Sequence, residues 1–216
     1  MLLLAGDLTK LGTPEEAKVL AEELRELPVP VVAVLGNHDH HSDQQDEVRG
    51  VIADAGVRML EGESAVFEVG GRTIGVAGTV GFGGGFAGGN ATDFGEPEMK
   101  RFVERTRRLA ATLEDELRSL DVDMRVALMH YSPVKDTLRG EPPEIYAFLG
   151  SYLLAEAVDR AGADLVLHGH AHRGSEHGVT PGGVPVRNVA QQVIRRAYKV
   201  FSVGEEVTQH PAASGG

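Results

Sequence analysis

Cysteine is absent from all 216 residues of the chain. That absence excludes thiolate zinc sites, disulfides and a cysteine nucleophile, and nothing argues for secretion. Long apolar runs are missing too: no stretch approaches the roughly 20 apolar residues needed to span a bilayer. The opening run Leu2 to Ala5 has neither a basic leader nor a long apolar stretch behind it, so it does not read as a signal peptide. Positive charge is in short supply, with 21 Lys and Arg against 32 Asp and Glu and a formal net charge of -11. Such a balance argues against a nucleic-acid partner, which would call for a basic face or groove. Small anionic substrates stay open, because a metal centre can hold a phosphate locally in acidic surroundings. The basic group Lys100-Arg101, Arg105 and Arg107-Arg108 falls in a helix-like stretch and reads as a solvated face. The expectation is a soluble, cytoplasmic protein with no membrane partner.

Hydrophobic residues make up 42% of the chain, enough at this length for one sizeable core. We expect one domain over residues 1–208 and a flexible tail over 209–216. Four apolar runs end abruptly on polar side chains. Leu2-Leu3-Leu4-Ala5 runs into Gly6-Asp7, and Val31-Val32-Ala33-Val34-Leu35 into Gly36-Asn37-His38-Asp39. Val126-Ala127-Leu128-Met129 runs into His130, and Leu165-Val166-Leu167 into His168-Gly169-His170-Ala171-His172. Runs without polar alternation suit strands covered on both faces, and ligands in such sheets gather at the carboxyl ends of the strands. The donors on offer are carboxylate or amide oxygen and imidazole nitrogen, a mixed shell that favours Mn, Fe or Zn.

Between these runs, Thr13-Pro14-Glu15-Glu16 predicts an N-cap with proline in the first turn, followed by Leu20, Leu24 and Leu27 at helical spacing. A second helix is expected over about Ser42 to Ala55, then short strands near 57–60, 65–69 and 73–77, the last two forming a hairpin around Gly70-Gly71. Phe102, Leu109, Leu113, Leu117 and Leu120 predict one amphipathic helix over Pro97 to Leu120. A further helix over Ser151 to Ala161 and late strands near 184–189 and 198–203 complete the pattern. Helices and strands that alternate early, with extra strands late, predict two stacked sheets with outer helices.

The ordered set Gly6-Asp7, Gly36-Asn37-His38-Asp39, His130 and Gly169-His170-Ala171-His172 resembles the calcineurin-like metallophosphoesterases, whose further block is an Asp-x-His ahead of Gly-Asp. The resemblance spans Gly6 to His172. It implies an α/β fold, a four-layer α/β/β/α sandwich of two mixed sheets with flanking helices, its first strand missing here. It implies two divalent metal ions: Asp7 bridging, Asn37, His130 and His170 completing the second site, His172 serving the first. His38, steered by Asp39, would protonate the leaving oxygen, and the nucleophile would be metal-bound hydroxide. The expected activity is hydrolysis of a phosphoester, most simply a phosphodiester of a small substrate. Since no Asp-x-His precedes Asp7, the natural start is expected upstream of Met1, with one ion held well, a second weakly, and poor activity unless that segment is restored. A non-catalytic metal-binding protein is the alternative.

Other histidines read differently. His168 is expected to be packed or behind the ligands, whereas His40, His41, His177 and His210 are expected at the surface. The glycine-rich stretch from Gly81 to Asn90 lacks the Lys-Ser/Thr of a phosphate-cradling loop. It reads as a mobile flap or a plain connector, with Phe82 and Phe86 available to line a pocket. Tyr131, and Arg139 in the loop from Lys135 to Tyr146, follow a candidate ligand and read either as contacts to a phosphate or its leaving group or, equally, as a solvated loop.

Overall fold

Apolar runs without alternation, leucine-rich in one and valine-rich in the other, become the two short parallel strands β1 (Leu2–Ala5) and β2 (Val31–Val34), in register from Leu2 against Val31 to Ala5 against Val34. The computed structural model describes residues 1–202 together with the backbone of 208 and 209. Between these strands lies α1 (Pro14–Arg25), opened as expected by Thr13, whose hydroxyl accepts from the Glu16 amide at 3.4 Å. Helix α2 (Gln45–Asp54) follows and leads to β3 (Arg58–Met59), which adds to the far edge of β2. This smaller sheet is wholly parallel rather than mixed.

The hairpin β4 (Glu63–Val69) and β5 (Arg72–Thr79) joins the second sheet. The glycine-rich stretch forms a hairpin of its own, β6 (Gly85–Phe86) with β7 (Gly89–Asn90). The long α3 (Pro97–Ser119) then precedes β8 (Met124–Met129). Next come α4 (Tyr146–Leu149), α5 (Tyr152–Ala161) and β9 (Leu165–His168). The chain continues with β10 (His177–Val179), β11 (Pro185–Asn188) and α6 (Gln191–Ile194). A last pair, β12 (Phe201–Ser202) and β13 (Thr208–Gln209), is antiparallel. The larger sheet has the order β10-β11-β9-β8-β5-β4, parallel through its centre and antiparallel at both edges.

Strand alternation sorts the core into three slabs, and these make the four layers. Val31, Ala33 and Leu35 pack outward with Ala17, Ala21, Leu24, Val48 and Ile52 of α1 and α2. Their neighbours Val32 and Val34 face inward onto Val76, Val126, Leu128 and Leu167 of the larger sheet. On that sheet's other face, Ala77, Ala127, Met129 and Val166 meet α3 and α5 through Leu113, Leu117, Leu154 and Val158. Leu113 and Leu117 are fully buried, and truncating either to Ala would cost about 2–5 kcal/mol. The α3 stripe differs slightly from expectation: Val103, Thr106, Ala110, Leu113 and Leu117 face the core, leaving Phe102 and Leu109 half-buried.

Register brings four strand ends to one edge. The amides of His130 and Tyr131 both bond Val80 O at 3.1 Å, just past β5, and Gly169 N bonds His130 O at 3.2 Å. Among the described residues no helix is long and apolar enough to cross a membrane. The tail expected over 209–216 lies outside the described residues except for Gln209, as do His210 and position 203 of the last expected strand.

Candidate metal centre

Three glycines allow the strand ends to close on one another. A Cβ at Gly6 would collide with the His130 ring and Leu35 O; at Gly36 it would collide with the backbone N and Oδ1 of Asp7; at Gly169 it would crowd Ala5 O and His130 Nδ1. Two residues just past these strands are left-handed without being glycine, Asp7 at φ 54° and His170 at φ 66°. Such conformations cost on the order of 1–3 kcal/mol each and persist where surrounding contacts fix them, commonly at functional sites.

His130 is the hub. Its Nδ1 lies 2.9 Å from Ala5 O, a carbonyl that can only accept, so Nδ1 carries the proton and Nε2 presents a bare lone pair. Around Nε2 stand Asn37 Oδ1 at 2.8 Å, His170 Nδ1 at 3.1 Å and Asp7 Oδ1 at 3.3 Å. His170 Nε2 lies 3.3 Å from Phe148 O, which places its proton there and leaves its Nδ1 bare as well. Burial pushes the pKa of both rings down to about 4, so neither supplies a second proton near neutrality. Two imidazole lone pairs, an amide oxygen and a carboxylate oxygen therefore converge with no hydrogen between them.

That arrangement is repulsive unless a cation sits among the donors. Among the described residues no three His, Asp or Glu side chains are arranged to hold a metal ion as they stand. One donor of this group is an amide, and the four close directly on each other, so binding requires them to part slightly. The donor chemistry fits a divalent ion. On the other side of Asp7, Oδ2 lies 4.0 Å from His172 Nε2, and His172 is 44% exposed.

Asp39 does something other than expected. Its carboxylate is fully buried and accepts from Leu8 N at 3.1 Å, Thr9 N at 2.8 Å, Thr9 Oγ1 at 2.7 Å and Gly36 N at 2.7 Å. It laces the Asp7 loop to the Asn37 loop instead of steering the His38 ring. That ring is held by Lys10 O at 2.8 Å from its Nδ1, while the His38 amide donates to Asp7 Oδ1 at 3.1 Å.

His170 and His172 reach the site through a turn. The strand ends at His168, and a turn closed by Ala171 N to Gly169 O at 2.8 Å carries both rings toward Asp7. His168 is buried, bonded to Gly169 O and to Thr137 Oγ1 at 2.8 Å each, with burial lowering its pKa to about 3. The glycine-rich stretch is anchored rather than loose. Gly84 N and Gly85 N bond Ala147 O and Gly150 O at 2.7 and 2.8 Å, and Phe86 packs with Leu138, Leu149 and Ala171 beneath the His170 turn. Arg139 is engaged by Asp136 at 2.5 Å.

Two contacts and one unpartnered group were not foreseen from sequence. Tyr131 lies 4.4 Å from the His170 ring and 5.8 Å from Phe82 between centroids, building an aromatic wall beside the centre. Glu61 joins the sheets at the level of the site, accepting from Leu35 N at 2.6 Å and Val80 N at 3.2 Å. Burial raises its pKa to about 7. His40 carries a buried Nε2 with no hydrogen-bond partner among the described residues. Nothing in a strand-by-strand reading points to these long-range relations.

Comparison with known proteins agrees with this architecture. The calcineurin-like phosphoesterase family profile matches residues 1–174. No curated protein matches the sequence. Among solved structures, the phosphopantetheinyl hydrolase of Mycobacterium tuberculosis is similar in fold, with a TM-score of 0.68, 20% identity, and coverage of 90% of this chain and 79% of that one. A putative 5'-nucleotidase from Staphylococcus aureus, in complex with alpha-ketoglutarate, gives 0.55 at 16% identity over 88% of this chain, which spans only 39% of that protein. A protein from Thermus thermophilus gives 0.51 at 20% identity over 87% of this chain and 75% of its own.

Proposed function

This chain belongs to the calcineurin-like phosphoesterase family, and from that premise we propose that it is a phosphodiesterase for a small phosphate-containing substrate. Asp7, Asn37, His130 and His170 would hold one divalent ion, and Asp7 with His172 a second, more weakly. Manganese, iron and zinc all suit oxygen and imidazole donors. A bound ion supplies Lewis-acid polarisation of the phosphoryl oxygen and offsets the charge of an in-line displacement. The observation that carries the reading is the meeting of four acceptor atoms at His130 Nε2 with no proton to share.

The remaining work falls to the protein's own groups. Asp7 offers its two oxygens to opposite sides, with the His38 amide fixing Oδ1. With Nδ1 donating to Lys10 O, Nε2 is the free site of the His38 ring, and only in the imidazolium form would it carry the proton to be passed to the leaving oxygen. Asp39 keeps the two loops in register, and Tyr131 walls the centre against water. The proposal treats residues 1–208 as one domain working in the cytoplasm. Hydrolysis of bis(4-nitrophenyl) phosphate with added manganese tests it. We expect turnover that falls at least about 100-fold in His38→Ala and in Asp7→Ala. Manganese binding should survive the first change and not the second. Turnover that is absent from the wild type, or unchanged in Asp7→Ala, would overturn the reading.

A further inference from the structure

The basic residues of α3 do not form one uniform solvated face. Arg101 is paired with Glu98 and Arg107 with Asp93, each at 2.5 Å. Arg105 has no carboxylate partner among the described residues, in a chain whose formal charge is -11. Its guanidinium carbon instead stands 4.6 Å over the centroid of Phe82. That ring leans on Phe102 at 4.9 Å and Tyr131 at 5.8 Å, and Tyr131 lies 4.4 Å from His170. An unbroken row of flat groups thus runs from an unpaired cation to a candidate metal ligand.

Stacking on an aromatic face uses the plane of a guanidinium and leaves its N–H edges free to grip an oxyanion in two places. Lys100 and Arg108 of the same helix also lack an ion pair among the described residues, so what singles out Arg105 is its seat on Phe82, at the far end of the aromatic row from His170, where it can receive a negative group brought by the ligand.

Resting on the phosphoesterase reading above, we propose that Arg105, seated on Phe82, binds a second phosphoryl group of the substrate. The substrate class is then a small molecule carrying a further phosphate beyond the one that is cleaved, such as a pyrophosphate-linked or bis-phosphorylated compound. Phe82 is a positioning residue, acting through Arg105.

Calorimetric binding of methylphosphonate, methylenebisphosphonate and propane-1,3-bisphosphonate to the full chain, at one fixed free manganese concentration, tests this. At least one bisphosphonate should bind about tenfold or more tightly than methylphosphonate. That ratio should collapse toward one in Arg105→Gln, shrink partly in Arg105→Lys and Phe82→Leu, and persist in Arg108→Gln, which removes an equal charge from the same helix. No preference for either bisphosphonate in the wild type, or a preference that survives Arg105→Gln, would overturn the proposal. Failure of the phosphoesterase reading is separately visible, as a wild type that turns over no aryl phosphodiester.

Discussion

The two sides of Asp7 differ sharply. Toward Oδ1, three donor atoms cluster within 3.3 Å of His130 Nε2, in a setting buried enough to hold two imidazoles neutral. Toward Oδ2, the one member of the expected ligand set is His172, 4.0 Å away and 44% exposed. The first side is built before any ion arrives, since its rings are fixed by backbone carbonyls and its loops by Asp39. The second must be organised by the ion itself. Preorganisation, more than the number of donors, therefore separates a tight site from a weak one in this molecule.

The change that should break the contrast most completely is Asp39→Ala, because the buried carboxylate serves both loops at once. Four donors would lose their acceptor, and stability should fall by about 3 kcal/mol or more, read as a lower urea midpoint, with manganese binding lost on both sides of Asp7. Next in size is His130→Ala, which removes the hub: affinity for the tighter ion should drop by more than about 100-fold while the fold survives, as followed by calorimetry and circular dichroism.

Acid sharpens the same contrast. His130 and His170 titrate near 4 and His168 near 3 when folded, all below the ordinary histidine value of 6.5. The stability tied to keeping them neutral is present above pH 6.5 and is lost as pH falls toward 4. Glu61 runs the other way: its pKa is raised from 4.5 to about 7, so its contribution is full below 4.5 and is lost as pH rises to 7. Three depressed histidines outweigh one raised carboxyl. Urea midpoints of the metal-free protein should therefore decline from pH 6.5 to pH 4.5, and a midpoint that rises over this window would contradict the burial of these rings. The smallest effect is expected from His172→Ala, about tenfold on the weaker ion and none on the tighter, read from the two phases of a manganese titration.

Much of the fold was legible because its cause is local. Apolar runs without alternation gave strands, Thr13-Pro14 gave a helix start, and Leu113 and Leu117 gave part of the α3 stripe. The candidate ligands were legible for the same reason, as polar residues set at strand ends. What escaped is contact between distant segments. Asp39 looked like a partner for its neighbour His38, yet its acceptors are used by Leu8, Thr9 and Gly36 across the loop junction. His170 and His172 stood in sequence as polar residues following an apolar strand, with no sign that the left-handed His170 turns the chain there. The glycine-rich stretch looked loose because glycine lacks a side chain to pack, yet its amides bond α4 and Phe86 is buried. Arg105 looked like solvated charge, and only the approach of Phe82 separates it from its neighbours on α3.

Titration of the metal-free protein with manganese, compared in wild type, His130→Ala and His172→Ala, bears most directly on the central claim. The account predicts one tight ion per chain in the wild type, lost in His130→Ala and kept in His172→Ala. Tight binding that is indifferent to His130 would contradict it, as would two ions of equal affinity.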